Sequence, residues 1–326
     1  DILSTNIALS AGQRILRSAQ GSTGIDKLDT LQMEYVGAQL YQSNGDGTFT
    51  EVAAQAGLDW VGDAAAGAEF IDYDHDGLLD IYVSNGLWTG GERSLDSVFI
   101  RGVTGVYDSD DPHQADVHGG QPVFGKMGPE YATGDAPTLN PMLTALRNHI
   151  DAQTGAPTWS LAGKQRNRLF RNNGDGTFTE VGFLEGADRI EDGYVIAPAD
   201  VDQDGRQDLV LRNCDPAPGV TMATVRLLKN QLPQTHSLSL SLQGVQSNRD
   251  GLGATVIAHV GDRRLVREVR ATNGAVQGEP VAFFGLGDET AIDRLEIRWP
   301  SGQRQTFDDV AQGRVRLLEG AQQLQR

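Results

Sequence analysis

The stretches LYQSNGDGTFTEVAAQAGL (Leu40–Leu58) and LFRNNGDGTFTEVGFLEGA (Leu169–Ala187) share the nine residues NGDGTFTEV. Alternating runs flank the NGDG tetrapeptide in both copies, and an Asn-Gly or Asp-Gly turn between such runs is a strong hairpin signal. A second landmark follows each copy. It reads DYDHDGLLDIYVSN (Asp72–Asn85) after the first and DVDQDGRQDLVLRN (Asp200–Asn213) after the second. Asn44 precedes Asp72 by 28 positions, and Asn173 precedes Asp200 by 27. Two landmarks recurring at one spacing mark a structural repeat. The runs DIYVSN and DLVLRN are short and aliphatic or β-branched, and they read as inner strands.

Working outward, the chain reads as all-β. Residues 1–232 hold the repeat region, interrupted by a Gly-, Asp- and Pro-rich insertion at about 87–165. The insertion carries the one clear helical signal, LNPMLTALRNHIDA (Leu139–Ala152). There Asn140 can cap, Pro141 suits the first helical position, and Leu143, Leu146 and Ile150 share a face. Residues 233–326 form a second unit. Its alternating runs ATVIAHV, RLVREVRA, VAFFGL and RLEIRWP, separated by Gly and Asp turns, predict a small β-sandwich or barrel. The arginines of its second run, Arg263, Arg264, Arg267 and Arg270, read as the solvated face of a strand.

The net charge of −17 is unevenly spread. From residue 233 onward eleven basic and eleven acidic residues cancel, so the first 232 residues carry the whole excess. That field disfavours nucleic acid and attracts cations. No apolar run has the length of a membrane span. Cys214 is the sole cysteine, which excludes an intrachain disulfide, and it reads as a small core residue. The sequence starts at Asp1 without a signal peptide and reads as a processed or trimmed product.

Both acidic segments fit D-x-D-x-D-G-x-x-D. Carboxylates fall at positions 1, 3, 5 and 9: Asp72, Asp74, Asp76 and Asp80, then Asp200, Asp202, Asp204 and Asp208. Gly77 and Gly205 at position 6 let the backbone swing, so that the carbonyls of Leu78 and Arg206 at position 7 can face the same point. Such a ring of hard oxygens in a flexible loop suits Ca²⁺, which takes six to eight of them, better than Mg²⁺. An EF-hand is rejected, because position 12 is Val83 or Leu211 and the flanks are strands. Asp46 and Asp175 in the NGDG turns read as hairpin residues. His75 occupies a non-ligand position and is expected to point outward.

At these residues the chain resembles the FG-GAP/VCBS repeat family, whose units form β-propellers. The resemblance implies two Ca²⁺ sites with the ligands just named, Leu78 and Arg206 through their carbonyls. A blade has four strands and a ring needs several blades. Two clear repeats are few for a ring, so the propeller is expected to be incomplete in this chain, or completed by a partner chain or self-assembly. The segments SNRDGLGA (Ser247–Ala254), FGLG (Phe284–Gly287) and RWPSG (Arg298–Gly302) resemble the ASPIC/UnbV domain. Repeats followed by this domain are similar to the cartilage acidic protein-like family. The stretch ATNGAVQGEP (Ala271–Pro280) departs from that family's Gly-Ser-Tyr-rich pattern.

No zinc-protease, nucleophile-elbow, P-loop or dinucleotide motif is present. The one cluster with chemical potential is YDSDDPHQADVHGG. Its Asp108, Asp110, Asp111, His113, Asp116 and His118 are a candidate second metal or active site, set against the plainer reading of a solvated loop. The expected function is a secreted, calcium-binding interaction or adhesion module. It would be located outside the cell, at its surface or in the periplasm, with an extracellular protein or glycan as partner. The alternatives are an enzyme of secondary-metabolism type using the 107–120 cluster, or a structural subunit of a larger extracellular assembly.

Overall fold

The computed structural model describes residues 2–5, 38–58, 65–86, 93–94, 159–160, 165–214, 223–233, 235–270, 272–273 and 276–326. The expected helix at 139–152 and the 107–120 cluster lie outside these residues. Among the described residues every regular element is a strand.

Strands β1 (Ile2–Ser4), β2 (Gln39–Ser43) and β3 (Phe49–Glu51) form a first sheet in that order. The second contains β4 (Ala65–Ile71), β5 (Asp80–Asn85), β8 (Arg168–Asn172) and β9 (Phe178–Glu180), ordered β4-β5-β8-β9. Between β5 and β8 in sequence lies a short parallel pair, β6 (Arg93–Ser94) and β7 (Trp159–Ser160). The third sheet is β10 (Asp192–Ala199), β11 (Asp208–Cys214) and β12 (Ala223–Leu228).

The repeat is visible in the register. Tyr41 pairs with Glu51 in the first hairpin, and its counterpart Phe170 pairs with Glu180 in the second. Ile71 faces Asp80 as Ala199 faces Asp208, and a bulge interrupts both pairs at their far end. The sequence repeat is out of phase with the sheets, however. Each copy runs from the outer hairpin of one sheet to the acidic loop of the next. Among the described residues two copies therefore yield one four-stranded sheet between two three-stranded ones, a propeller-like stack that is not closed.

The stacking explains the apolar pattern of DIYVSN. Every residue of β5 is buried. Ile81 and Val83 enter a core with Leu40, Leu58 and Phe170, between the first and second sheets. Tyr82 turns the other way, to Leu169, Ile196, Leu209 and Leu211, between the second and third. A strand with neighbours on both faces has no polar side to show. Tyr82 satisfies its hydroxyl within this core. It donates to the Ala187 carbonyl at 2.9 Å and accepts from Asn167 Nδ2 at 3.1 Å. Tyr82→Phe removes both bonds, taking the acceptor from Asn167 Nδ2 while the Ala187 carbonyl keeps the Arg189 N–H, and is expected to cost about 1–3 kcal/mol, measured by urea denaturation.

The C-terminal residues form two further sheets. One comprises β13 (His236–Gln243), β18 (Val281–Gly287) and β21 (Gly313–Leu318), with β13 central and parallel to β21. The other comprises β14 (Thr255–Val260), β15 (Arg263–Glu268), β19 (Ala291–Arg298) and β20 (Arg304–Ala311), ordered β15-β14-β19-β20. Strands β16 (Thr272–Asn273) and β17 (Val276–Gln277) form a separate two-stranded antiparallel sheet. Leu238, Leu240, Phe284 and Leu317 of one sheet meet Val256, Leu295 and Ile297 of the other in one buried core. The unit is a small sandwich.

Two of its sequence motifs meet at Glu319. One carboxylate oxygen accepts the successive N–H groups of Val245, Gln246 and Ser247 at 2.7–2.8 Å. The other accepts the hydroxyls of Ser247 and Ser301. The loop of SNRDGLGA and the turn of RWPSG are thus tied to the end of β21 by one side chain.

Candidate cation loops

The acidic loops join β4 to β5 and β10 to β11, and they are the same turn built twice. His75 and Gln203 at position 4 have φ of 61° and 63°, and Gly77 and Gly205 have 90° and 88°. The position-1 carboxylate accepts the position-6 N–H, at 3.3 Å for Asp72 and 3.0 Å for Asp200. The position-5 carboxylate accepts the position-7 N–H, at 2.8 Å for Asp76 and 3.0 Å for Asp204. The position-9 carboxylate closes the loop. Asp80 accepts from the N–H groups of Tyr73 and Asn172, and Asp208 from those of Val201 and Asn230.

Asn172 and Asn230 were missed in the sequence. Each also donates its side-chain amide to the position-8 carbonyl, of Leu79 or Gln207. The signal was present: both follow an apolar pair and a basic residue, LFRN and LLKN, at the end of the strand that flanks the loop strand.

Ligand oxygens of Asp72, Asp74 and Asp80 lie within 4.8 Å of one another, as do those of Asp200, Asp202 and Asp204. Asp76 stands outside the first cluster and Asp208 outside the second. Asp76 is held by the Leu78 N–H and Asp208 by those of Val201 and Asn230. The donor set in both loops is all oxygen, the chemistry that hard divalent cations take.

The loops differ in their surroundings. The first is buried, with Asp72 and Asp80 both 0% exposed. Burial raises Asp80 to about 8, against the N–H of Asn172, and the neighbouring Asp74 adds to the rise. Burial likewise raises Asp72 to about 6 and raises Asp74. Carboxylates held in this way need positive charge beside them to ionise near neutral pH. The second loop lies nearer solvent and is matched by the chain's own cations. Arg206 pairs with Asp204, Lys229 with Asp202, and Arg314 with Asp200 at 3.0 Å.

Two sequence expectations need correction. His75 is not part of the carboxylate cluster, but it is 2% exposed rather than outward in solvent. Its ring lies 5.4 Å from that of Phe283, and Nδ1 is 2.9 Å from Thr235 Oγ1. The arginine row is not uniformly solvated either. Arg270 pairs with Glu268 at the surface, whereas Arg267 is only 11% exposed and sits 3.3 Å from Asp72. Both corrections have one cause: the C-terminal sandwich packs over the first loop. Asp46 and Asp175 act as hairpin residues. Each accepts the hydroxyl and N–H of the Thr two positions on.

The comparisons agree with this architecture. The FG-GAP-like repeat model matches residues 27–83 and 155–211, each match running through a hairpin and its acidic loop. The ASPIC and UnbV model matches residues 244–324. The chain therefore carries FG-GAP-like repeats followed by an ASPIC and UnbV domain. Its curated relatives include cartilage acidic protein 1 of Xenopus tropicalis, 25% identical over 285 residues, covering 85% of this chain and 40% of the relative. The Homo sapiens protein of that name is 27% identical over 299 residues, covering 85% of this chain and 39% of the relative. The Mus musculus protein is 26% identical over 286 residues, covering 81% and 38%. The chain thus spans about two fifths of the length of these relatives. Among the described residues no helix is long and apolar enough to cross a membrane.

Proposed function

We propose that the chain is the calcium-binding part of an extracellular interaction module. The observation that carries this reading is the repetition of one acidic loop in two sheets, with the same left-handed position 4, the same N–H pattern and three clustered carboxylates in each, positions 1, 3 and 9 in the first loop and 1, 3 and 5 in the second. The ligands are Asp72, Asp74, Asp76, Asp80 and the Leu78 carbonyl in one loop. In the other they are Asp200, Asp202, Asp204, Asp208 and the Arg206 carbonyl. Millimolar calcium outside the cell keeps such loops occupied. The loops then hold the sheets that present a binding surface to a protein or glycan partner. Residues 1–232 form this repeat region and 233–326 the sandwich.

Calcium titration by calorimetry tests the reading. Two sites are expected, with Asp76→Ala removing one and Asp204→Ala the other. A site filled to about 100 times its dissociation constant adds about 2.7 kcal/mol to stability, so chelator should lower the melting temperature by several degrees. No binding heat and no shift would leave the loops as empty turns.

A further inference from the structure

The first acidic loop has its outer face inside the sandwich. Three successive carbonyls of the loop point into that unit. His75 O accepts from Gly287 N at 2.8 Å, Asp76 O accepts from the Arg263 guanidinium, and Gly77 O accepts from Arg267 at 3.0 Å. The carboxylate of Asp72 is shared in the same way. It accepts Gly285 N at 2.8 Å and Arg267 at 3.3 Å while facing Asp74 and Asp80 on its other side.

The fit is tight and specific. A Cβ on Gly285 would lie 2.3 Å from the Cα of His75, so only glycine allows β18 this close. The two glycines of FGLG therefore act at the loop, one by approach and both by donating an N–H. Arg267 is itself held in place. It donates to the Phe283 carbonyl at 2.8 Å and lies over the Phe284 ring at 5.1 Å. Among the described residues the second loop has no comparable cover. It receives Ser237 at Gly205 O and the half-exposed Arg314 at Asp200.

Charge accounts for the arrangement. The loop's four aspartates carry four negative charges, and a divalent cation cancels two of them. Arg263 and Arg267 bring positive charge to the loop from the sandwich, and Arg171 does so from β8. A buried guanidinium and a buried carboxylate cluster are each costly without their counter-charges. The backbone turn that aims carboxylates inward is also the one that aims the His75, Asp76 and Gly77 carbonyls at the sandwich.

Resting on the cation-loop reading above, we infer that the sandwich is the lid of the first loop. Cation binding there and seating of the sandwich on the loop each strengthen the other, through Asp72, Gly285, Arg263 and Arg267. The coupling is reciprocal by thermodynamic necessity.

The test uses the whole chain carrying Asp204→Ala, so that only the first loop binds. Calcium affinity is measured by calorimetry with and without Arg267→Lys, which keeps the charge but loses the forked guanidinium contacts, or Gly285→Ala. Each added substitution is expected to weaken binding about tenfold, an ordinary size for such coupling. A second measurement needs no further variant. Amide exchange over residues 283–287 is expected to be about tenfold faster in chelator than in calcium. Unchanged affinity in both variants, or exchange at 283–287 indifferent to calcium, overturns the lid. Absence of calcium binding in the otherwise unaltered chain overturns the cation-loop reading, and the lid with it.

Discussion

Glu319→Gln is expected to lower the stability of the chain by about 3 kcal/mol at pH 7. Burial works to raise the pKa of this carboxyl, but the Ser301 hydroxyl, the N–H groups of Ser247 and Val245 and the Ser247 hydroxyl outweigh it. They hold the group at about 2, against an ordinary 4.5. A shift of this size is worth about 1.4 kcal/mol per pH unit. The sign follows from the direction. The folded state binds the proton less readily than the unfolded chain, so the stabilisation is complete above pH 4.5 and fades as pH falls through 2. Gln loses the charge, and with its oxygen on the three N–H groups its amide nitrogen donates where the carboxylate accepted, so the Ser247 and Ser301 hydroxyls have to turn and accept. Urea denaturation of both proteins at pH 7 and at pH 3 measures the effect. The gap should be clearly smaller at pH 3. An equal gap at both pH values would mean that shape rather than charge holds the three strand ends together.

The same residue shows what was legible in the sequence. SNRDGLGA and RWPSG stood out as motifs, yet nothing local says that a Glu near the end of the chain joins them. Hairpins were legible, because Asn-Gly and alternation act over a few residues. The acidic loops were legible in their spacing, and their repetition gave the fold class. The phase of the repeat was not, because sheet membership is decided by pairing between distant strands. Asn172 and Asn230 could have been found, since both end a repeated pattern. Arg267 could not. Its partner Asp72 is 195 positions away, and the strand that carries it has the alternating look of any half-exposed edge. His75 was misplaced with respect to solvent for the same reason. Burial by another unit leaves no local mark.

Leu169→Ala and Leu227→Ala should differ sharply in cost, although the two leucines hold the same place in the repeat. Phe170 pairs with Ile81 and Leu228 with Leu209, so the residues just before them are equivalent. Leu169 is 2% exposed, in the core between the second and third sheets. Its truncation is expected to cost about 2–5 kcal/mol, the transfer loss plus the cavity. Leu227 is 50% exposed and Val225 on the same face 70%, and among the described residues no further sheet packs there. Truncation of Leu227 should fall within about 0.5 kcal/mol, as for an ordinary surface position. Denaturation of both variants at several protein concentrations makes the comparison decisive. A small and concentration-independent cost for Leu227→Ala means that β12 ends the stack in this chain. A cost that approaches that of Leu169→Ala only as concentration rises means that a second copy supplies the missing neighbour, because an interface between chains obeys mass action and a core within one chain does not.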